Sequence, residues 1–306
     1  VGSEMCIRDR GEWGEIPNFK CFGYYGGMPK LNLKNPEVEK YITDVACYWI
    51  KECDIDGWRL DVGDEISHFF WKNFRKAVKA VKKDMLIIGE IWHYAGDFLE
   101  GDEWDTVMNY PFYLNLIDLL ADEKITVSQF VQNLGYLKGR LNKNCYPLMW
   151  NLIDSHDTAR FLHLCNDNKK KQHLAAAFQL LLPGMPMIYY GDEYAMPGAN
   201  DPDCRRGMYW DEEYQDKEMY EWYKRLIQVR KSHACIVEGE LAGIVTEDEE
   251  GTIVLIRKNG EETIAMIFNC SSSAKKFNEY TQKYNLLTEN TFDGNVEGFD
   301  AAVIVL

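Results

Sequence analysis

The chain's 306 residues, 46% of them apolar, suffice for one large domain or a domain with a small appendage. Its 49 acidic against 34 basic residues leave a formal net charge of −15, which repels phosphate backbones and anionic lipid and so argues against nucleic acid or a membrane as partner. No run of 18 or more apolar residues is present, so no membrane-spanning helix is expected.

From the start of the chain, residues 1–10 show no period and no apolar stretch of signal type, and they read as an artefactual segment. A leader upstream of them stays open. Residues 11–36 are rich in Gly, Pro and aromatic residues, as in Cys21-Phe22-Gly23-Tyr24-Tyr25-Gly26-Gly27, and read as a long structured loop. Asn35 then caps a helix and Pro36 suits its first turn. Val38, Ile42, Val45, Ala46, Trp49 and Ile50 follow at helical spacing and carry that helix to about Glu52. A short strand is expected over 55–62. A helix follows over 69–83, with Phe69, Phe70, Trp71 and Phe74 assigned to packing.

The apolar run Met85-Leu86-Ile87-Ile88-Gly89 predicts a buried strand ending in Glu90. Another strand is expected at 106–109, followed by helices to about 141. A strand over 147–153 ends in Asp154-Ser155-His156-Asp157, and an apolar helix covers 170–182. Next come a strand at 185–190 ending in Gly191-Asp192-Glu193 and a helix over 214–232. Strand and helix alternate without hairpin signals, which indicates parallel β/α units. After about residue 235, glycines punctuate short β-rich runs such as Thr252-Ile253-Val254-Leu255-Ile256, the pattern of a small antiparallel β domain.

Asp61, Glu90, Asp157 and Asp192 each fall just past an apolar strand. In a β/α barrel those strand ends converge on the face where active sites are built. Two carboxyls about 5–5.5 Å apart are what a retaining glycosidase needs: one attacks the anomeric carbon, and the other protonates the leaving oxygen and later activates water. Arg59 stands two residues before Asp61, hence on the same face of the strand, and sets a cation beside a nucleophile. Glu90, between Ile87-Ile88-Gly89 and Ile91-Trp92, has the apolar setting of a general acid. An acid at a strand end is as often a helix cap; Asp64 and Asp97 are read so, and Asp192 as a structural anchor of its loop. His156 is expected to donate to sugar hydroxyls and Trp92 to stack on a sugar face. The nine cysteines, odd in number and scattered from Cys6 to Cys270, contain no CxxC pair, and reduced thiols fit a cytoplasmic chain.

These segments resemble the α-amylase family of glycoside hydrolases. Gly57-Trp58-Arg59-Leu60-Asp61-Val62 is similar to the family's nucleophile strand, and Ile88-Gly89-Glu90-Ile91-Trp92 to its acid/base strand. Asn151 to Arg160, containing His156-Asp157, resembles the segment that carries the third, transition-state-stabilising acid. Gly191-Asp192-Glu193 and Asp201 to Trp210 look like its final-strand loop. Met28-Pro29-Lys30-Leu31-Asn32 is similar to the stretch marking the neopullulanase, cyclomaltodextrinase and maltogenic amylase subgroup.

The resemblance implies Asp61, Glu90 and Asp157 as catalytic acids, and Arg59, Glu65, Trp92, His156, Asp203 and Arg206 as substrate-binding residues. The fold it implies is α/β, a partial (β/α)8 TIM barrel holding about strands four to eight, followed by a C-terminal antiparallel β-sandwich. The corresponding domains are a loop-domain remnant at 11–36, the barrel part at 37–234 and the β domain at 235–306. The family's first signature, an Asp near an Asn-His pair, has no counterpart here, so the expectation is a chain lacking the first part of its barrel and inactive alone. The implied activity is cleavage of α-1,4 bonds in cyclodextrins, pullulan or maltooligosaccharides, with a homodimer for the complete protein. Calcium occurs in the family, but no metal or cofactor is expected from the residues present. Two rivals stay open: another family activity, such as an oligo-1,6-glucosidase or trehalose-forming isomerase, and an inactive fragment that at most binds glucan.

Overall fold

The computed structural model describes residues 19–306. The segment 1–10 expected to be artefactual, and the loop expectation up to residue 18, lie outside the described residues. The chain divides into two units, the first ending at Met108 and the second beginning at Asn109.

In the first unit, helix α1 (Pro36–Cys53) starts as expected. The Asn35 side chain accepts the Glu37 N–H at 2.9 Å, and Pro36 opens the first turn. It buries Val38, Ala46 and Ile50, whereas Val45 and Trp49, expected on the same face, are exposed. Strand β1 (Gly57–Leu60) runs parallel to β2 (Leu86–Gly89), with Arg59 opposite Ile88 and Leu60 opposite Gly89. Strand β3 (Thr106–Val107) continues the sheet on the far side of β2.

Helix α2 (His68–Val81) packs Phe70, Trp71, Phe74 and Val78 inward. Phe69 corrects its assignment to packing: it is 69% exposed, one position off the buried stripe. The cap of α2 is Ser67, whose hydroxyl accepts the Phe70 N–H. Asp64 is therefore no cap; it sits in a 3₁₀ turn and pairs with His93 at 3.0 Å. Asp97 likewise lies within a single turn whose N-terminal residue, Ala95, makes no side-chain cap.

The second unit opens on α3 (Tyr110–Leu116) and α4 (Val127–Arg140), the latter started by a reciprocal Thr126–Gln129 capping box. Strand β4 (Trp150–Leu152) pairs in parallel with β5 (Met185–Met187). Between them lie the short α5 (Phe161–Leu164) and α6 (Lys169–Leu181), the second almost wholly buried. Helix α7 (Lys217–Ser232) and the short α8 (Cys235–Glu238) follow.

The chain ends in antiparallel β-structure, as expected. Strands β6 (Glu240–Glu247), β7 (Thr252–Asn259) and β8 (Glu262–Asn269) form a meander. They join β13 (Asp300–Val305), β10 (Tyr284–Asn285) and β11 (Asn290–Thr291) in one six-stranded sheet. Alternation at period two divides its side chains. Ile264, Met266, Phe268 and Val303 meet the helices, with Phe268 stacked on Phe178 of α6 at 4.3 Å. Ala265, Ile267, Ala302 and Ile304 meet Phe277, Phe292 and Val296, the last from a small ribbon of β9 (Lys275–Lys276) and β12 (Asn295–Val296). Among the described residues no helix is long and apolar enough to cross a membrane.

Candidate active site

In the first unit the chemistry gathers where β1 and β2 end. Asp61 follows Leu60 directly, and Val62 then takes a left-handed conformation (φ 44°, ψ 47°). A β-branched residue is a genuine outlier there, and such strain persists only where its surroundings enforce it. The turn aims the Val62 N–H at Glu90 Oε2 (3.0 Å), while the Gly63 N–H reaches the Glu90 carbonyl at 3.1 Å. The Glu90 N–H in turn donates to the Leu60 carbonyl at 2.9 Å. Both carboxyls are thus fixed to one continuous stretch of parallel ladder.

Arg59 joins them. Its Nη1 lies 2.5 Å from Asp61 Oδ1 and its Nη2 lies 2.7 Å from Glu90 Oε1. Asp61 presents a side chain 76% exposed, whereas Glu90 is 4% exposed. Glu90 is buried between the buried Ile88 and Ile91, and a guanidinium and a backbone N–H both reach its carboxyl. Trp104 supports the strand ends from below. A Cβ on Gly63 would meet its ring at 2.6 Å and one on Gly89 at 2.2 Å, so only glycine admits the ring at either place. Trp92, two residues beyond Glu90, is 42% exposed. Glu65 lies in the turn after Asp61, and its carboxyl is engaged by Lys30 at 2.6 Å and by the Gly23 N–H at 2.8 Å.

In the second unit, β4 runs into a turn held by hydroxyls. Ser155 Oγ accepts the Asp157 N–H and the Tyr110 hydroxyl, both at 3.1 Å, and Thr158 Oγ1 accepts the Ser155 N–H at 3.2 Å. Asp157, exposed, meets His156 Nε2 at 3.1 Å and Arg205 Nη2 at 2.9 Å. Arg205 is held from behind by Asp201 at 3.0 Å, and the Cys204 thiol donates to the His156 carbonyl. The motif reading missed Arg205. Only its place in the Arg205-Arg206 run marked it, and the sequence does not tell which arginine faces the acid. Arg206 instead binds Asp203 and, at 3.3 Å, Tyr209. The Asp203 carboxyl is held below its ordinary value first by the Ala199 N–H and then by Arg206.

Beneath that turn is a sealed group of charges. Arg160 pairs with Asp192 at 3.1 Å, both fully buried, and the guanidinium stands 4.6 Å from the Tyr189 ring centroid. Asp154, also buried, accepts the Phe161 N–H at 2.5 Å. Burial pushes the Asp192 carboxyl up to about 7, and burial followed by the nearness of Asp192 raises that of Asp154. Two carboxyls so placed beside one arginine retain a proton between them around neutrality. Among the described residues, no group of three or more His, Cys, Asp or Glu is placed to hold a metal ion, and the eight described cysteines are free thiols.

Residues 13–215 match the alpha amylase catalytic domain. Among curated proteins, the cyclomaltodextrinase of Geobacillus thermopakistaniensis (strain MAS1) is 46% identical over 258 residues, covering 84% of this chain and 44% of the relative. The intracellular maltogenic amylase of Bacillus subtilis is 43% identical over 253 residues, covering 82% and 43%. A solved cyclomaltodextrinase structure superposes with a TM-score of 0.90 at 34% identity, over 97% of this chain and 54% of that one. The chain therefore spans about half the length of the relatives it matches.

Proposed function

The chain belongs to the alpha-amylase family of glycoside hydrolases, and from that premise we propose that the full-length protein hydrolyses α-1,4 bonds of cyclodextrins, pullulan or short maltooligosaccharides with retention of configuration. The observation that carries the reading is the single guanidinium of Arg59 set against both the exposed Asp61 and the buried Glu90.

In this reading the Asp61 carboxylate attacks the anomeric carbon while Glu90 gives its proton to the departing glycosidic oxygen. Forming the glycosyl ester removes the charge on Asp61. Arg59 is then left to stabilise the carboxylate created on Glu90, which takes a proton from the water that cleaves the ester. Asp157 takes the third acid's part, binding sugar hydroxyls and stabilising positive charge that develops on the ring, with His156 donating beside it. Trp92 offers its face to a sugar. Asp203 and Arg206 act by shaping the final loop as a substrate wall. No cofactor is required. The free thiols and the intracellular relative support a cytoplasmic protein, and a homodimer is the proposed assembly.

The test is β-cyclodextrin hydrolysis by the full-length protein beside its Glu90→Gln variant. Release of maltose and glucose, lost in the variant, supports the reading. Cleavage of isomaltose or conversion of maltose to trehalose, without cyclodextrin cleavage, keeps the mechanism and discards the substrate. A well-folded full-length protein inert on every α-glucan overturns the reading.

A further inference from the structure

The loop ahead of α1 is a closed structure in its own right. Cys21 bridges to Pro29, and the Phe22 N–H donates to the Met28 carbonyl at 2.9 Å, so residues 22–28 form a tight excursion. Tyr25 at its tip and Met28 at its closing end are both exposed. Glu65 reaches both ends of this excursion. One carboxyl oxygen accepts the Gly23 N–H at 2.8 Å, and the other lies 2.6 Å from Lys30 Nζ. The same ammonium donates to the Glu65 carbonyl at 3.0 Å and stands 4.8 Å from the Phe22 ring centroid. Lys30 is the central residue of the Met28-Pro29-Lys30-Leu31-Asn32 stretch.

The anchor itself is part of a packed turn. Glu65 closes the 3₁₀ turn that begins two residues after Asp61, and in that turn Gly63 is pressed on Trp104 while its carbonyl accepts the Trp71 indole N–H at 2.8 Å. The ammonium is mostly shielded, its side chain 19% exposed, and it makes two charge-assisted contacts with one residue in addition to the ring contact. This exceeds an isolated surface ion pair, which contributes little. The carboxyl is held below its ordinary value first by its hydrogen bond from Lys30.

We propose that Lys30 and Glu65 form a clamp that fixes the loop bearing Tyr25 and Met28 against the turn that carries Asp61, so that Glu65 is a positioning residue for that loop and not a sugar ligand. The inference rests on the α-glucan hydrolase reading for its functional consequence, and on the geometry alone for the clamp. The central lysine of the stretch thereby acquires a role, supplying the positive charge that joins loop to strand end. Loss of that charge leaves the contacts of Arg59, Asp61 and Glu90 in place and frees the loop, so it acts on binding ahead of chemistry.

The experiment compares full-length wild type with Lys30→Met, Lys30→Arg and Glu65→Gln. It reads kcat and KM on maltoheptaose together with hydrogen exchange of the 19–34 segment. Lys30→Met is expected to raise KM about tenfold with kcat within about twofold, and to speed exchange in the loop. Lys30→Arg, which keeps the charge, restores most of both, and Glu65→Gln falls between them. A direct sugar contact by Glu65 predicts otherwise: KM rises in Glu65→Gln alone, Lys30→Met behaves as wild type, and exchange is unchanged. That pattern overturns the clamp, as does loop exchange at the wild-type rate in Lys30→Met. Should the wild-type protein hydrolyse no α-glucan, the functional reading fails, and the exchange measurement still decides the clamp.

Discussion

Two groups in this chain share a composition and differ in almost everything else. Asp61, Arg59 and Glu90 are two carboxyls on one guanidinium at the ends of β1 and β2. Asp154, Arg160 and Asp192 are two carboxyls near one guanidinium past the ends of β4 and β5. In the first group one acid is open to solvent. In the second every member is sealed, and burial forces the acids to hold a proton. Surroundings, not residue types, separate the two groups. A buried charge with no route to solvent serves position and packing, while an exposed acid that shares its arginine with a buried one has access to a ligand and a cation held in place beside it.

The comparison is broken most severely at its open end. Glu90→Gln keeps the shape and the Val62 contact but removes the proton to be transferred. We expect kcat on β-cyclodextrin to fall by about 10³-fold or more, with the urea midpoint of unfolding moved little. A large loss of stability with modest loss of kcat would place Glu90 with the sealed group. Next in size, Arg160→Met leaves Asp192 buried without its cation, and unfolding free energy should drop by about 3–5 kcal/mol in urea titration. The corresponding Arg59→Met change, at a half-open site, should cost far less stability and most of the activity. An equal stability cost for both would erase the distinction.

A pH series sharpens the same contrast. The folded carboxyl of Asp192 titrates at about 7, above its ordinary 3.8. The folded state therefore binds more protons than the unfolded chain between those values. Asp192's contribution to stability is full below about 4, declines as pH rises toward about 7 and is flat beyond. Asp192→Asn should flatten the dependence of the urea midpoint across that window; a slope equal to wild type would show that Asp192 is ionised when folded. The smallest effect belongs to Asp201→Asn, which loosens Arg205 behind Asp157 at an exposed pair. A loss of kcat/KM no greater than about fivefold and an unchanged midpoint are expected, measured on maltoheptaose.

Much of this was legible in the sequence because strand and helix impose different periods. The apolar run Leu86–Gly89 could only be a covered strand, and the terminal acid Glu90 followed from it. Asn35 announced α1, and the i, i+2 relation placed Arg59 on the side of Asp61. What stayed hidden was mostly long-range. Nothing local says that Arg59 also reaches Glu90, 31 positions away, or that Trp104 requires glycine at 63 and 89. The cap assigned to Asp64 belongs to Ser67, because Asp64 is taken up in the 3₁₀ turn Gly63–Glu65 that precedes the helix. Phe69 and Trp49 were read inward because helical spacing defines a face only to within one residue on either side. Nothing local marks the tie between Glu65 and Lys30 either, since it crosses 35 positions.

The most direct test of the account is to find where the sugar becomes attached. Full-length Glu90→Gln protein, exposed to an α-maltosyl fluoride, needs no acid for the first step and lacks the base for the second, so the glycosyl-enzyme should accumulate. Peptide mass spectrometry is then expected to show the added maltosyl mass on the peptide containing Asp61 and on no other. The same mass on a different acid, or fluoride release with no labelled peptide and inverted product, would contradict the assignment of Asp61 as nucleophile to the Arg59-bridged pair.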